Sequence, residues 1–142
     1  MFARKNGGIH MATSNVPQVG IECLSENKFR ITFGVELCAA YCCMMKDDNP
    51  FHDPNKNPDA YVPGTLILGG LDGAVSIWRP GWELARMSEF AFKKRVPVGG
   101  SILATFTDKQ TRLGVKKIEI VVQEREGEHI LSPATVMLNE VK

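Results

Sequence analysis

The sequence predicts an α+β domain in which helices cover one face of an antiparallel sheet. A strand-like segment comes first, two segments of helical character follow it, and at least four strand-like segments complete the chain. The chain has 142 residues, the usual length of one domain, and it shows no internal repeat. We therefore expect a single domain over residues 16–142. Residues 1–15 are expected to be a disordered leader or a tag-like extension.

The first strand is predicted by alternation of apolar and polar residues. Phe29, Ile31 and Phe33 alternate with polar or small residues, as a half-buried strand requires. They lie in a segment rich in β-branched and aromatic residues, residues 21–34, with a bend expected at residues 27–28.

A change of period predicts a helix at residues 36–46, which the turn-favouring Asp47-Asp48-Asn49-Pro50 ends. A proline-rich loop then covers residues 47–62. Loops of this length are usually functional or disordered, and the three prolines favour a defined shape. The apolar positions of the helix are Leu37, Ala40, Tyr41 and Met44.

The most apolar segment, residues 63–78, predicts a second helix that is buried. Pro63 suits the first turn of a helix. Each glycine inside an exposed helix costs about 1 kcal/mol relative to alanine, so this helix requires another backbone or a ligand packed closely against it. A central helix enclosed by a curved sheet meets that condition. The glycines concerned are Gly69, Gly70 and Gly73.

The remainder of the chain predicts antiparallel strands. The first alternates around Phe90 and Phe92, and the last two flank a polar turn, as in a long hairpin. Pro133 within the last strand indicates an edge or a bulge. The four strands are expected at residues 87–95, 102–107, 115–123 and 130–138.

Composition excludes several classes of protein. The formal net charge is +1, so no global field favours nucleic acid or an anionic membrane as a partner. No apolar run reaches the roughly 18 residues of a membrane span, and the amino terminus lacks the pattern of a secretory signal. We expect a cytoplasmic protein whose cysteines are buried, reduced thiols rather than metal ligands. The cysteines are Cys23, Cys38, Cys42 and Cys43.

One short motif carries the chemistry. Asp47 and His52 lie five residues apart, just past the first helix, with an Asn-Pro turn between them. A carboxylate and an imidazole aimed at one point are sufficient for general acid/base work. Gly64 begins the next apolar segment, where bare backbone N–H groups can meet an oxyanion.

The motif Asp47-Asp48-Asn49-Pro50-Phe51-His52 resembles the Asp-x-Asn-Pro-x-His pattern of the MaoC-like (R)-specific enoyl-CoA hydratases, a family with the hot-dog fold. Residues 62–68 resemble the start of the central helix in that family and in acyl-carrier-protein dehydratases. Residues 92–100 resemble a Pro-Val turn of the family. The resemblance covers about residues 20–142. It implies a curved antiparallel sheet wrapped around one long helix.

The resemblance also implies roles for particular residues. Asp47 and His52 would form the acid/base dyad, and the backbone N–H of Gly64 would hold the thioester oxygen. The reaction would be reversible hydration of a 2-enoyl thioester, carried on coenzyme A or on acyl carrier protein. No cofactor is implied, because proton transfer and charge stabilisation suffice. A homodimer or a dimer of dimers is expected. Contacts with the substrate are expected from Asn49, Pro63 and Thr65.

The chain departs from the family at three positions. Lys46 stands where the family usually has glycine before the aspartate, and Gly69 stands where acyl-carrier-protein dehydratases have an acidic residue. Asp72 stands where MaoC-like hydratases often have a serine that bonds the catalytic aspartate. Asp72 is therefore a candidate third catalytic group or a structural residue.

Two other functions stay open at this point. An acyl-thioester hydrolase of the same fold could use Asp72 or Asp47 to activate water, and a non-catalytic module could bind the thioester without turnover. The cationic run at residues 93–95 could meet the phosphates of coenzyme A or an acidic carrier protein, or it could be a solvated strand end.

Overall fold

A computed structural model describes residues 17–87, 90–125 and 128–141. These residues form two helices and six strands, and every strand belongs to one antiparallel sheet. In chain order the elements are β1 (Gly20–Ser25), β2 (Lys28–Thr32), α1 (Val35–Met45), α2 (Gly64–Trp78), β3 (Trp82–Met87), β4 (Ser101–Arg112), β5 (Val115–Arg125) and β6 (Glu128–Glu140).

The strands are arranged in the order β1-β2-β4-β5-β6-β3, so β1 and β3 form the two edges. The register places Phe29 opposite Ala104 and Phe106 opposite Ile120. Residues directly opposite each other share one face of a sheet, and these four are buried. The buried face is the one that alternation of apolar residues predicted.

Helix α2 packs against the sheet and contacts β1, β2 and β3. Leu71, Ala74 and Val75 are fully buried in this interface. The close approach depends on Gly70, where an added Cβ would lie 3.0 Å from both Ile31 Cγ2 and Phe33 Cζ. The prediction of a buried, glycine-containing helix at residues 63–78 is confirmed.

The predicted strand at residues 87–95 is wrong. The strand in this region is β3, which ends at Met87, and a bulge between Leu84 and Arg86 interrupts its alternation, so no period of two was visible in the sequence. Residues 90–95 lie outside the named strands and contact β6 through an isolated bridge, nearby hydrogen bonds and the ion pair of Lys94 with Glu128. Phe90 and Phe92 are exposed and pack edge to face on each other, so their alternation does not mark a core face. Residues 88–89 lie outside the described part.

Other expectations have mixed outcomes. Residues 20–32 form a hairpin of two strands around a turn at residues 26–27, and the second strand starts at the predicted bend; Phe33 is buried but lies just past the end of this strand. Pro133 lies in β6 where its register with β5 shifts, and β3 pairs with β6 only from Val136 onward, so Pro133 marks a bulge. The expected leader, residues 1–15, falls outside the described residues. No helix in the described ranges is long and apolar enough to cross a membrane.

The cysteines divide into two groups. All four thiols are free, but only Cys38 and Cys42 are buried, on the inner side of α1. Cys23 lies on the edge strand β1 and Cys43 on the outer side of α1, and both are exposed. The expectation of buried thiols is therefore right for two cysteines and wrong for the other two.

Candidate active site

The end of α1 directs the chain toward the candidate site. Lys46 follows α1 with φ 54° and ψ 42°, a left-handed conformation, and its N–H donates to the carbonyls of Cys42 and Cys43. The N–H of Asp47 then donates to the carbonyl of Cys42 at 2.9 Å. Glycine adopts the left-handed conformation at least cost, so Lys46 takes the same turn at a cost of about 1 kcal/mol. A non-glycine residue at this position therefore still adopts the left-handed turn that ends α1.

Asp47 and His52 are in direct contact. Asp47 Oδ2 lies 2.7 Å from His52 Nδ1, and the two side chains are 23% and 20% exposed, respectively. Asn49 closes the loop between them, because its carbonyl accepts the N–H of His52 at 3.0 Å and its Oδ1 accepts the N–H of Phe51 at 3.0 Å. The Asn-Pro turn therefore brings the carboxylate and the imidazole into contact, and their catalytic role stays a prediction.

The electrostatics of the pair favour an ionised carboxylate. The backbone N–H of Asn49, which donates to Asp47 Oδ1 at 3.0 Å, lowers the pKa of Asp47 below its ordinary value. The hydrogen bond from His52 lowers this pKa further. An ionised carboxylate can only accept a hydrogen bond. In a neutral imidazole the proton must therefore be on Nδ1, which donates it to Asp47 Oδ2. Nε2 of His52 is then left with a lone pair that can accept a proton.

Tyr61 connects the dyad to a groove. Its ring packs edge-on against the ring of His52, with 5.1 Å between centroids, and the guanidinium of Arg95 lies 4.5 Å from its centroid. Three backbone hydrogen bonds hold the segment that carries Tyr61: its own N–H donates to the carbonyl of Phe51, Val62 N–H to that of Val96, and Val98 N–H to that of Ala60. The groove has a volume of about 350 Å³ and is lined by Tyr61, Gly64, Ile67, Phe92, Lys93, Lys94, Arg95 and Val96.

Gly64 opens α2 at the wall of this groove. Pro63 precedes it, and the carbonyl of Pro63 accepts the N–H groups of Leu66 and Ile67 at 3.0 and 3.1 Å. The N–H groups of Gly64 and Thr65 have no acceptor in the described part of the chain. Two unpaired donors at the positive end of a 15-residue helix are suited to an oxyanion.

The remaining predicted substrate contacts have protein partners. The Thr65 hydroxyl forms a hydrogen bond with the Tyr41 hydroxyl of α1, which fixes the first turn of α2 to the end of α1. The side-chain oxygen of Asn49 accepts the backbone N–H of Phe51 within the loop. Pro63 is buried and supplies the carbonyl that starts the helix. These three residues shape the site, and their contacts with substrate stay predictions.

Asp72 lies eight residues after Gly64, which is roughly 12 Å along a helix axis. Its Oδ1 accepts the backbone N–H of Leu84 at 2.9 Å, next to the bulge in β3. The bond ties α2 to the edge strand and gives the carboxylate in the apolar helix a structural partner. A catalytic role for Asp72 stays a prediction.

The structure adds residues that the motif did not indicate. Tyr61, Arg95 and Phe92 belong to the groove, and the ring of Phe92 is so close to Gly64 that an added Cβ would lie 2.9 Å from its Cε2. The sequence did single out the basic run of residues 93–95, but it could not show that this run faces Gly64. Lys94 is paired with Glu124 and Glu128 across the sheet. Within the described ranges, no cluster of three or more potential ligands is placed to hold a metal ion.

Comparisons with known proteins identify the fold. No protein-family model and no curated protein matches the sequence. In structure, the chain is similar to the (R)-hydratase from A. caviae involved in PHA biosynthesis, with a TM-score of 0.63, 20% identity, and 89% of this chain and 98% of that chain covered. The chain is also similar to the HadBC (3R-hydroxyacyl-ACP dehydratase) complex from Mycobacterium tuberculosis, with a TM-score of 0.59, 15% identity, and 77% of this chain and 89% of that chain covered. For a hexameric thioesterase from Yersinia pestis the TM-score is 0.50 and the identity 17%, with 61% of this chain and 77% of that chain covered.

These likenesses, together with the antiparallel sheet that packs on α2, show that the chain has the hot-dog fold. The predicted fold class is confirmed. At such sequence identities the likeness concerns the fold alone, and one fold hosts several reactions. The reaction has to be argued from the site.

Proposed function

We propose that this protein catalyses the reversible hydration of a 2-enoyl thioester to a 3-hydroxyacyl thioester, carried on coenzyme A or on acyl carrier protein. The observation that carries the proposal is the contact of 2.7 Å between Asp47 and His52, beside Tyr61, which lines the same groove as Gly64. A MaoC-like hydratase needs this combination of an acid/base pair and an oxyanion donor.

The mechanism follows from the positions of these groups. The thioester oxygen accepts hydrogen bonds from the N–H of Gly64, which stabilises the negative charge that develops on this oxygen by a few kcal/mol. Nε2 of His52 takes one proton from a water molecule while the water oxygen bonds to C3. Asp47 holds the imidazole and stabilises the imidazolium. The proton is then delivered to C2, so one water has been added and the thioester bond stays intact.

The test follows enoyl absorbance and free thiol in the same assay, with short and medium 2-enoyl-coenzyme A. We expect absorbance to fall without thiol release, and His52→Ala to lower the rate by at least about 10²-fold. His129→Ala is the matched control, because that exposed histidine lies on β6 and belongs neither to the dyad nor to the residues that line the groove. Thiol release by the wild type, or full activity of His52→Ala, would contradict the proposal.

A hydrolase is the second candidate, because a thioesterase shares the fold. It would need Asp72 or Asp47 to activate water toward the carbonyl carbon. We expect Asp72→Asn to keep hydratase activity within about twofold, since the amide oxygen can still accept the N–H of Leu84. Asp72→Ala leaves this N–H unpaired and should lower the free energy of unfolding by about 1–2 kcal/mol in urea titrations. Loss of thiol release in Asp72→Asn would instead assign a catalytic role to Asp72.

A non-catalytic thioester-binding module predicts a different pattern. It would bind 2-enoyl-coenzyme A in calorimetry, would neither hydrate the double bond nor hydrolyse the thioester bond, and would bind equally well after His52→Ala.

We place the enzyme in the cytoplasm as part of the same proposal. We also propose that it works as a homodimer or a dimer of dimers, as the HadBC complex and the hexameric thioesterase are assemblies.

A further inference from the structure

Cys42 contacts both ends of the loop that carries the dyad. Its backbone carbonyl accepts the N–H of Asp47 at 2.9 Å, and its thiol donates to the backbone carbonyl of His52 with an Sγ–O distance of 3.3 Å. The side chain is buried, near the carboxyl end of α1. One residue of a rigid helix therefore holds the backbone of Asp47 and the backbone of His52 at the same time.

The thiol can act as a donor only while it is protonated. Burial raises the pKa of Cys42 above its ordinary value, and the nearby carboxylates of Asp47 and Asp53 raise it further. At neutral pH the S–H group therefore stays intact. A raised pKa also makes the thiol a poor nucleophile, so its contribution is positional and not covalent.

We propose that Cys42 is a positioning residue for the dyad: its thiol holds the His52 backbone where the imidazole meets the carboxylate of Asp47. The effect on turnover rests on the function proposed above, whereas the effect on the imidazole does not require any substrate. Without the thiol, the His52 end of the loop loses its hydrogen bond to α1, whereas the Asp47 end keeps the hydrogen bond from its N–H to the carbonyl of residue 42. The two ends then move relative to each other.

The chain supplies matched controls. Cys38 is also buried on α1, but its thiol faces the carbonyl of Phe33, outside the dyad loop, at 3.9 Å. Cys38→Ala therefore removes a buried thiol without touching the dyad. Cys43 is exposed beside Cys42, so Cys43→Ala controls for the loss of a cysteine at this end of α1. Cys42→Ser keeps a donor at the position, whereas Cys42→Ala removes it.

The first arm of the test is nuclear magnetic resonance of the ¹⁵N-labelled histidine rings without substrate, with His52 assigned by comparison with His52→Ala. We expect the Nδ1–H signal of His52 to be observed in the wild type, Cys42→Ser and Cys38→Ala, and to be lost or broadened in Cys42→Ala. Thermal unfolding measures the stability of each variant. An unchanged His52 signal in Cys42→Ala, or an equal loss in Cys38→Ala, would overturn the proposal.

The second arm measures steady-state hydration at saturating and limiting substrate. We expect Cys42→Ala to lower kcat about tenfold with KM within about twofold, and Cys42→Ser to recover most of the rate. Cys38→Ala and Cys43→Ala should keep the wild-type kcat per folded molecule. A merely structural role predicts equal kcat in all folded variants and would overturn the proposal. If the wild type shows no hydration at all, the proposed function fails, and the first arm still decides the role of Cys42.

Discussion

At the scale of single residues, Asp47 combines two hydrogen bonds with different consequences. The N–H of Asn49 binds Oδ1 and shapes the loop, whereas His52 binds Oδ2 and joins the carboxylate to the chemistry. Both bonds favour the ionised form, and together they lower the pKa of Asp47. The same charge therefore contributes to the stability of the loop and to the orientation of the imidazole.

The stability contributed by the Asp47 charge should depend on pH in one direction. The pKa of Asp47 in the folded state lies below its ordinary value of 3.8, so this contribution is present above that value and is lost as the pH falls through the folded-state pKa. Asp47→Asn keeps an acceptor for Asn49 but removes the charge. We expect it to lower the free energy of unfolding by about 1 kcal/mol at pH 6, with the difference disappearing in acid.

Urea titrations over a series of pH values measure this difference. Asp48→Asn is the matched control, because the neighbouring carboxylate is exposed and its removal should have little effect at any pH. A wild-type advantage over Asp47→Asn that stays constant down to about pH 2 would contradict the assigned cause.

At the scale of elements, the sequence predicted those whose periods are regular. Both helices and the three long strands β4, β5 and β6 were found with their type correct, because these strands are long enough to show one-face burial despite the register shifts within them. β3 was missed because the bulge between Leu84 and Arg86 shifts its alternation, and Asp72 on α2 bonds at that bulge. A hydrogen bond across twelve residues has no signature in the local sequence.

Helix α2 offers two adjacent glycines with opposite surroundings. An added Cβ at Gly70 would meet Ile31 and Phe33, each at 3.0 Å, whereas at Gly69 it would meet nothing within 4 Å. We expect Gly70→Ala to lower the free energy of unfolding by about 1–3 kcal/mol through overpacking. Gly69→Ala should raise it by about 0.5–1 kcal/mol, because alanine favours the helix. Urea unfolding of the two variants checks the contrast, and equal effects would contradict the close packing of α2 on β2.

At the scale of the whole molecule, the candidate site combines segments that are distant in the sequence. The Asp-Asn-Pro-His spacing indicated the dyad, and the apolar segment indicated Gly64. The sequence could not show that Tyr61 lies between His52 and the groove, or that Cys42 reaches the carbonyl of His52. Such contacts depend on how α1, the loop and the segment at residues 96–98 pack together, which periodicity does not encode.

The open edges of the sheet bear on assembly. β3 pairs with β6 on one side only, and an unpaired edge strand is a template for pairing with another chain. We expect sedimentation equilibrium to give two or four chains per particle, and the thermal midpoint to rise with protein concentration, since association stabilises the folded state. Ala85 lies in the bulge without a register partner on β6, so Ala85→Pro should block pairing through β3 and leave the β6 ladder intact. A monomeric wild type with full activity would contradict the proposed assembly, and an assembly unchanged by Ala85→Pro would assign the interface to a surface other than β3.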